Sequence, residues 1–537
     1  QFDNKEFLAA WDDLHQRCPW QTIFQSRAFV HTWYRLFNGS YLPVIIRTYK
    51  DQTLTGLFTL AKTRKGNMIT GAGGEQAEYQ VWLSQDNDNN QFIKEALTCV
   101  QKKFPEAFLM LRYVPSGAPK NWLVTDKNWQ KKSVIRMKKQ PLMQMDRDLF
   151  EKRLNAKTIR EKIKRLQRLG DLKLQKVTEY DQFAAMLDEL IIHYEFRKGA
   201  TYNVAPFTTE PNKKTLLLEL FRLEMLHVTV LKLNEEIISS TVNTIDGKRV
   251  MLKGLNAHVP FYSKHSPGLL HLLMLGKYLS EEGMEAFDLT PGDDFYKDKL
   301  ATLIEEPAQV WITSNRVAYY KLTITESLKK AINNRLIKRG MDPRTVFTGT
   351  QKATDKLRFL KQRGIRHGLN KVKGLFSGRK KNQAYVIRRE PNPGMIKVKK
   401  NNLYDLLQFD AKGSRITRWE FLAEAMKRFE YGEHAFTFTE NGQLMACAWL
   451  RGKYSVPIPD LNIPKLPEES AVIHAIYTHS RFTRLQPFLN AVAEEVSCGQ
   501  NKRDIYLISE NMSPEILSQA DPNGSLTPIN DKDSYYQ

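Results

Sequence analysis

Cysteines are few in this sequence, and long apolar runs are missing. The four cysteines (Cys18, Cys99, Cys447 and Cys498) are scattered, and none belongs to a Cys-x-x-Cys or Cys/His cluster. This pattern excludes a zinc ribbon and a dense disulfide framework, so we expect no metal and a reducing cytoplasm. No stretch approaches the roughly 18 consecutive apolar residues that a membrane-spanning helix needs. The charged, amphipathic segment 1–11 does not have the pattern of a signal peptide.

Positive charge, by contrast, is in excess. The net charge of +22 is concentrated in two segments: 131–168 holds fourteen basic and four acidic residues, and 326–381 holds seventeen and three. Such local fields favour anionic partners, namely a nucleotide cofactor, phospholipid headgroups, an acidic polysaccharide or RNA. In 326–381, and most clearly in an apolar stripe at 357–376, apolar residues recur at helical spacing between basic faces. We predict one or two basic helices on an anionic membrane surface, with RNA contact and a solvated linker as alternatives.

The order of predicted elements repeats along the chain. A length of 537 residues exceeds what one hydrophobic core holds. Three α/β segments share one order: helices, an antiparallel hairpin, a strand, a helix and a strand. In the middle segment we predict a helix at 181–197 and a hairpin that turns at Asp246-Gly247. We therefore expect three structural repeats. The predicted domains are 1–148, 149–325, a basic helical linker at 326–395, and 396–537.

A helix start in the middle segment could hold an anionic cofactor. Ser266 suits an N-cap, Pro267 suits the first helical position, and Gly268 lets a ligand approach the backbone. The first turn of a helix presents unpaired N–H groups and a positive dipole to a phosphate. Ser-Pro-Gly also begins ordinary helices. The predicted cofactor-binding residues are Ser266, Pro267, Gly268, Leu269 and Leu270.

Polar residues after the last strand of this segment are candidates for acyl-transfer chemistry. Asp288 could act as a general base, Asp293 could orient an acceptor, and Tyr296 could return a proton to a departing thiolate. Each has a structural alternative: a carboxylate bonding loop N–H groups, an Asx turn, and a packed tyrosine. The predicted substrate-binding residues are Tyr194, Arg197, Lys198 and Lys297.

The stretch 262–297 resembles the acetyltransferase family associated with cellulose and exopolysaccharide biosynthesis (the CelD/BcsL type). The likeness is carried by Tyr262, by Ser266-Pro267-Gly268, and by the run from Phe287-Asp288 through Gly292-Asp293 to Tyr296-Lys297. Three inserted residues, 263–265, separate Tyr262 from Ser266. A single basic helix is predicted from Leu149 to Gly170, and its part at 157–166 matches the Arg-rich helix that opens the family domain.

This resemblance covers 150–312 and implies a fold and an activity. The fold class is α/β (α+β), with tandem GNAT-like domains, mixed and mostly antiparallel sheets, and three copies, of which the C-terminal one is degenerate. The implied donor is acyl-CoA, most simply acetyl-CoA. The implied acceptor is an amine or hydroxyl of a saccharide or lipid-linked glycan, at the inner face of the membrane.

Two alternatives remain open at this point. The wider relationship is to FemABX-like enzymes, which implies an aminoacyl transferase that uses charged tRNA. A non-catalytic GNAT-like scaffold in polysaccharide assembly is the second alternative.

Overall fold

A computed structural model describes residues 4–85, 90–292, 294–341, 343–362, 384–386, 396–412, 414, 416–451, 471–498, 505–508 and 527–528. Contacts between residues divide the chain into two units. The first comprises Gln1–Leu190, Phe207–Ala257 and Pro267–Met341. The second comprises Ile191–Pro206, His258–Ser266 and Asp342–Gln537.

Helices make the connections within and between the sheets. In chain order they are α1 (Lys5–Arg17), α2 (Arg27–Phe37), α3 (Gln91–Lys103), α4 (Trp122–Thr125), α5 (Lys127–Gln130), α6 (Arg147–Leu154), α7 (Lys157–Gln167), α8 (Tyr180–Tyr202), α9 (Pro206–Thr209), α10 (Asn212–Arg222), α11 (Pro267–Glu281), α12 (Phe295–Leu300), α13 (Arg316–Lys338), α14 (Pro343–Gln362), α15 (Leu403–Leu407), α16 (Arg418–Glu430) and α17 (Leu485–Cys498). Short 3-10 helices span Ile23–Gln25 and Pro260–His265. Among these described helices, none is long and apolar enough to cross a bilayer.

The strands, in chain order, are β1 (Tyr41–Lys50), β2 (Thr53–Thr63), β3 (Met68–Gly71), β4 (Leu83–Ser84), β5 (Phe108–Val114), β6 (Ser133–Met137), β7 (Gln140–Gln144), β8 (Leu172–Val177), β9 (Leu226–Leu233), β10 (Glu236–Asp246), β11 (Arg249–His258), β12 (Ala286–Asp288), β13 (Leu303–Glu305), β14 (Ala308–Thr313), β15 (Ala384–Val386), β16 (Lys399–Lys400), β17 (His434–Glu440), β18 (Gln443–Arg451), β19 (Ala471–Thr478), β20 (Ile505–Ile508) and β21 (Thr527–Pro528). They form three sheets. The first has the order β1-β2-β3-β5-β14-β6, with β4 beside β2; the second β13-β7-β12-β11-β10-β9-β8; the third β16-β17-β18-β19-β20-β15-β21.

Each sheet contains one parallel pair of strands, and a helix makes the crossover between them. β3 pairs with β5, β11 with β12, and β19 with β20, each over three residue pairs. The crossover helices are α3, α11 and α17. Most of the remaining pairs are antiparallel hairpins and meanders. The prediction of an α/β fold with three mixed, mostly antiparallel sheets is therefore confirmed.

The first two sheets exchange strands. Only Lys138 and Lys139 separate β6 from β7, yet β6 pairs with β14 in the first sheet and β7 pairs with β12 and β13 in the second. Glu306 and Pro307 make the matching connection between β13 and β14. The Lys138 N–H donates to the Pro307 carbonyl at 2.9 Å, which ties the two connections together. The first sheet is therefore completed by β14, which lies after position 148, and the second sheet by β7, which lies before it. The domain boundary expected at that position stays a prediction.

The core under α11 orients the strand that carries the candidate site. Phe287 of β12 and Val250 of β11 pack with Leu273 of α11 and Phe150 of α6 in one buried cluster. Because side chains alternate along a strand, Asp288 lies on the opposite face of the sheet from Phe287. The inward packing of Phe287 thus fixes the direction in which Asp288 points.

The basic segment before the second sheet differs from its prediction. The expected single helix from Leu149 to Gly170 is wrong, since α6 ends at Leu154 and α7 begins at Lys157. The Asn155 N–H still bonds the Glu151 carbonyl at 2.9 Å, but Ala156 turns to an extended ψ of 135° and breaks the helix. Of the apolar stripe predicted in 357–376, the residues beyond 362 lie outside the described part of the chain.

Candidate active site

The parallel pair of the second sheet ends after three residues, and we call the edge of β11 beyond it the opening. β11 runs on to His258, but its pairing with β12 ends where Met251 faces Asp288. On that edge of β11 the peptide groups of residues 252–257 therefore have no partner in β12. Gly254 lies within this stretch at φ +143°, and a Cβ there would lie 2.5 Å from the Val242 carbonyl oxygen on β10. Only glycine fits this close approach of two backbones.

Helix α11 connects β11 to β12, the two strands of this parallel pair. It starts at Pro267, directly after a 3-10 helix and after Ser266, whose φ is 55°. Proline is suited to the first helical position because its missing N–H has no partner there in any case. The N–H groups of Gly268, Leu269 and Leu270 belong to the first turn. The predicted start of this helix is confirmed, and the cofactor role of these residues stays a prediction.

A buried histidine anchors the start of α11 to the sheet. His271 is fully buried, with Nε2 2.9 Å from the Thr229 hydroxyl and Nδ1 3.1 Å from the Ser239 hydroxyl. Burial lowers the pKa of this imidazole to about 3, so it stays neutral. Thr229 and Ser239 lie on β9 and β10, and the network fixes the helix one turn after Gly268.

Three hydrogen bonds surround the carboxylate of Asp288. The Tyr79 hydroxyl donates to Oδ2 at 2.5 Å, the Gln140 amide donates to Oδ2 at 2.8 Å, and the Thr290 N–H donates to Oδ1 at 2.7 Å. Burial nevertheless raises the pKa of Asp288 to about 6, because these donors only partly offset the lost hydration. Burial also raises the pKa of Tyr79 well above its usual value. The Asp288 carboxyl can therefore gain or lose a proton close to neutral pH.

A second layer of buried charges lies next to this carboxylate. Glu78 forms ion pairs with Lys253 at 2.8 Å and with Arg112 at 3.4 Å. Burial alone would raise the pKa of Glu78, but Lys253 and Arg112 outweigh it and hold that pKa below its usual value. Lys297 is buried too, and its ammonium donates to the Thr290 carbonyl at 3.1 Å. Burial lowers the pKa of both lysines.

A cavity of about 420 Å³ opens onto Asp288 on this face of the sheet. Trp20, Tyr79 and Gln140 contribute to its walls, as do four carboxylates and two cations. Two of the carboxylates pair with the cations, Glu285 with Lys248 at 3.0 Å and Glu305 with Arg249 at 3.1 Å. Asp246 instead accepts the Ile23 N–H at 3.1 Å, and burial raises its pKa to about 6. The lining is therefore acidic on balance.

The predicted site residues fall into separate groups. Asp288 and Lys297 lie in one buried network, and Tyr296 is half-buried against the core under α11. Asp293 lies outside the described residues. In the second unit, the Lys198 ammonium lies over the rings of Tyr194 and Tyr202, at 5.4 and 5.1 Å from their centroids. The acceptor-binding role predicted for Tyr194, Arg197 and Lys198 stays a prediction.

Most residues of this network were not predicted, among them Glu78, Tyr79, Gln140 and Lys253. Glu78 and Tyr79 lie in a loop of the first sheet, Gln140 begins β7, and Lys253 lies on β11. The adjacent acid and phenol of Glu78-Tyr79 were a usable signal, but nothing local relates them to Asp288. No group of three or more His, Cys, Asp or Glu side chains in the described part of the chain is positioned to hold a metal.

Comparison with known proteins identifies the segment that contains the opening. Residues 153–298 match the family model described as an acetyltransferase (GNAT) domain. The chain therefore carries a GNAT-type acyltransferase domain. GNAT domains generally use acetyl-CoA as the acyl donor. No curated protein matches the sequence.

Solved structures with a similar fold align with a longer part of this chain than residues 153–298. One is described as the C-terminal domain of a lysylphosphatidylglycerol synthetase from Agrobacterium fabrum (14% identity, TM-score 0.38, 60% of this chain and 96% of that chain). Another is a tandem GNAT protein from the clavulanic acid biosynthesis pathway (13% identity, TM-score 0.36, 57% of this chain and 95% of that chain). A third is FemX (13% identity, TM-score 0.26, 59% of this chain and 98% of that chain). These values carry no argument about substrate.

Proposed function

We propose that this protein transfers an acyl group, most simply acetyl, from acyl-CoA to an amine or hydroxyl of a saccharide or lipid-linked glycan. The observation that carries the proposal is the opening between β11 and β12 within the GNAT-type domain. There, pairing stops at Met251 and Asp288 while β11 continues. The CelD/BcsL-like motif at 262–297 is the support for a glycan acceptor.

The groups present suit a CoA thioester. The first-turn N–H groups of Gly268, Leu269 and Leu270 are donors of the kind that bind a pyrophosphate, and the helix dipole adds a positive field. The edge of β11 beyond Met251 offers peptide groups that are not paired with β12. Such groups match the amides of a pantetheine arm.

The side chains around Asp288 account for the proton transfers. Acyl-CoA supplies the acyl group as a thioester. Asp288 takes the proton from the attacking amine or hydroxyl as the new bond to the acyl carbon forms. Tyr79 and Gln140 keep the carboxylate oriented through their bonds to Oδ2. The bond from carbon to sulfur breaks, and the thiolate takes up a proton from water. Tyr296 packs against the core under α11, on the Phe287 face of the sheet, so its role as the donor of this proton stays a prediction.

The lining of the cavity favours an amine over a neutral hydroxyl. Asp246 and Asp288 both line this cavity. Among the described residues, neither carboxylate has a hydrogen bond or an ion pair to a cationic side chain. An ammonium group would gain attraction from both carboxylates. After it gives its first proton to water, the neutral amine attacks and Asp288 takes the second proton. The proposed acceptor is therefore an amino sugar or an amine-bearing lipid-linked glycan.

The test is a calorimetric titration of the purified chain with acetyl-CoA, longer acyl-CoAs and bulk tRNA at two salt concentrations. We expect saturable binding of one CoA species that changes little with salt. Tight, salt-sensitive tRNA binding without CoA binding would instead support aminoacyl transfer. Once the CoA donor is known, turnover of amino sugars should fall at least about a hundredfold in Asp288→Asn. Asp51→Asn, at an exposed aspartate in the turn between β1 and β2, is the matched control.

A further inference from the structure

Helix α13 is held to the first unit by one face only. The Tyr319 hydroxyl donates to the Gln130 carbonyl at 3.3 Å, and Arg136 on β6 pairs with Glu326 at 3.3 Å. Leu322 lies on the same face and is half-buried. Because 3.6 residues make a turn, positions 319, 322 and 326 share one side of the helix. The opposite side is free of these contacts.

That opposite side carries a continuous apolar row. We call it the outward stripe: Val317, Tyr320, Ile324, Leu328 and Ile332. Their exposed fractions are 76, 62, 57, 57 and 47%. The spacing of three or four residues puts all five in one line over four turns. Single exposed apolar residues are ordinary on a protein surface, but a row of this length marks an interaction surface.

Cations surround the outward stripe. From 316 to 339 the sequence has seven basic residues and one acidic residue, Glu326. All seven are exposed. Glu326 is already paired with Arg136 and with Lys329. Lys321 and Arg335 lie close to the line of the stripe, so their long side chains can place charge beside whatever covers it.

We propose that α13 is an interfacial helix that seats its outward stripe in the headgroup region of an anionic bilayer. Apolar side chains enter the boundary between headgroups and acyl chains, while Lys and Arg on the flanks meet lipid phosphates. The inference is independent of acyl transfer. It also moves the membrane contact expected from the sequence. The predicted segment 326–381 leaves out Val317, Tyr320 and Ile324, the first three residues of the stripe.

Charge decides between the occupants. A second copy of the chain would bring two helices of strong positive charge together, and like charges oppose that contact. RNA would satisfy the cations but would leave a row of aliphatic side chains with nothing to cover it. An anionic bilayer satisfies both the charge and the apolar row.

The experiment is co-sedimentation of the full chain with phosphatidylcholine vesicles, with and without phosphatidylglycerol, at low and high salt. We expect binding that requires phosphatidylglycerol and weakens with salt. The double variant Ile324→Asn/Leu328→Asn should lose it at least about tenfold, since each substitution removes an inserting apolar group. Lys321→Gln should weaken it about fivefold, as one cation near the surface is removed.

The matched control is Ile337→Asn on the same helix. Ile337 is 62% exposed but lies off the stripe, so its variant should bind like the wild type. Equal vesicle binding by the double variant would overturn the proposal, as would absence of binding by the wild type. A third outcome is that the wild type does not bind vesicles but self-associates or binds tRNA, and that only the double variant loses this. The stripe would then bind a second copy of the chain or RNA. Acetyl-CoA affinity, measured on the same variants, should not change, which separates this outcome from failure of the proposed activity.

Discussion

The hydroxyl of Tyr79 donates a 2.5 Å hydrogen bond to Oδ2 of Asp288, across 209 positions of the chain. Tyr79 lies in a loop of the first sheet, whereas Asp288 ends β12 of the second. The candidate base is therefore oriented by a residue from a different sheet. The exchange of strands through Lys138 and Pro307 connects the same two sheets.

Removing this donor should shift the pH dependence of turnover. Burial raises the pKa of Asp288 to about 6, so the rate should rise with pH as this carboxylate ionises. The Tyr79 bond favours the ionised form. Tyr79→Phe should therefore move the inflection of kcat/KM against pH upward, with little loss of rate at high pH. Tyr49→Phe, at an exposed tyrosine, is the control. An unchanged inflection would mean that Asp288 is not the base.

The imidazole of His271 should make the fold sensitive to acid. Burial lowers its pKa from 6.5 to about 3 in the folded chain. Between these values the unfolded chain binds a proton that the folded chain does not, so stability falls as the pH drops through this window. His271→Leu should flatten part of that loss. It should also lower stability at neutral pH by about 1–2 kcal/mol, because Thr229 and Ser239 each lose a partner.

Thermal unfolding midpoints at a series of pH values measure both effects. His31→Leu on the exposed face of α2 is the control and should follow the wild type. A His271 variant whose midpoint falls with acid as steeply as that of the wild type would contradict the assignment.

Gly254 should tolerate no side chain. Gly254→Ala forces a Cβ against the Val242 carbonyl at 2.5 Å and a φ of +143° onto an L-residue. Gly247→Ala shares the positive φ (+57°) but meets nothing within 4 Å. We expect Gly247→Ala to cost about 1 kcal/mol and Gly254→Ala several times more, seen as a lower unfolding midpoint. Equal midpoints for the two variants would mean that β11 does not pass this close to β10.

Because the first two sheets exchange strands, the chain should not divide into two independent fragments after position 148. Residues 1–148 lack β14 and residues 149–537 lack β7, so each fragment lacks a strand that completes one of its sheets. Neither fragment should be soluble when expressed alone, because exposed sheet edges aggregate. When the two are expressed together they should purify as one complex. Soluble, monomeric fragments with native-like circular dichroism would show that the exchange is dispensable.

Local signals predicted most of the elements. The turn residues Asp246-Gly247 marked the hairpin of β10 and β11, and Ser266-Pro267-Gly268 marked the start of α11 within one residue. Both depend on backbone preferences that neighbouring residues reveal. The helix predicted at 181–197 is longer in the structure, where α8 reaches Tyr202.

The strands at the exchange were not predicted, and neither was most of the site. β6 and β14 are short, and lysines and arginines around 131–139 obscured any alternation of apolar residues. Their pairing joins residues about 170 positions apart in the sequence. Gln140 reaches Asp288 because β7 pairs with β12, again between residues far apart in the sequence. A single sequence shows which residues can form a strand, but not which distant strand will lie beside it.

Acyl-CoA should bind with its phosphates on the first turn of α11, and calorimetric titration of acetyl-CoA into Gly268→Glu tests this directly. The new carboxylate adds bulk and negative charge at the proposed pyrophosphate site, which costs several kcal/mol of binding. We expect saturable binding to the wild type and to Gly349→Glu, at an exposed glycine with open space around it. In Gly268→Glu we expect the affinity to fall at least about a hundredfold. Unchanged acetyl-CoA affinity in that variant would mean that the phosphates bind elsewhere.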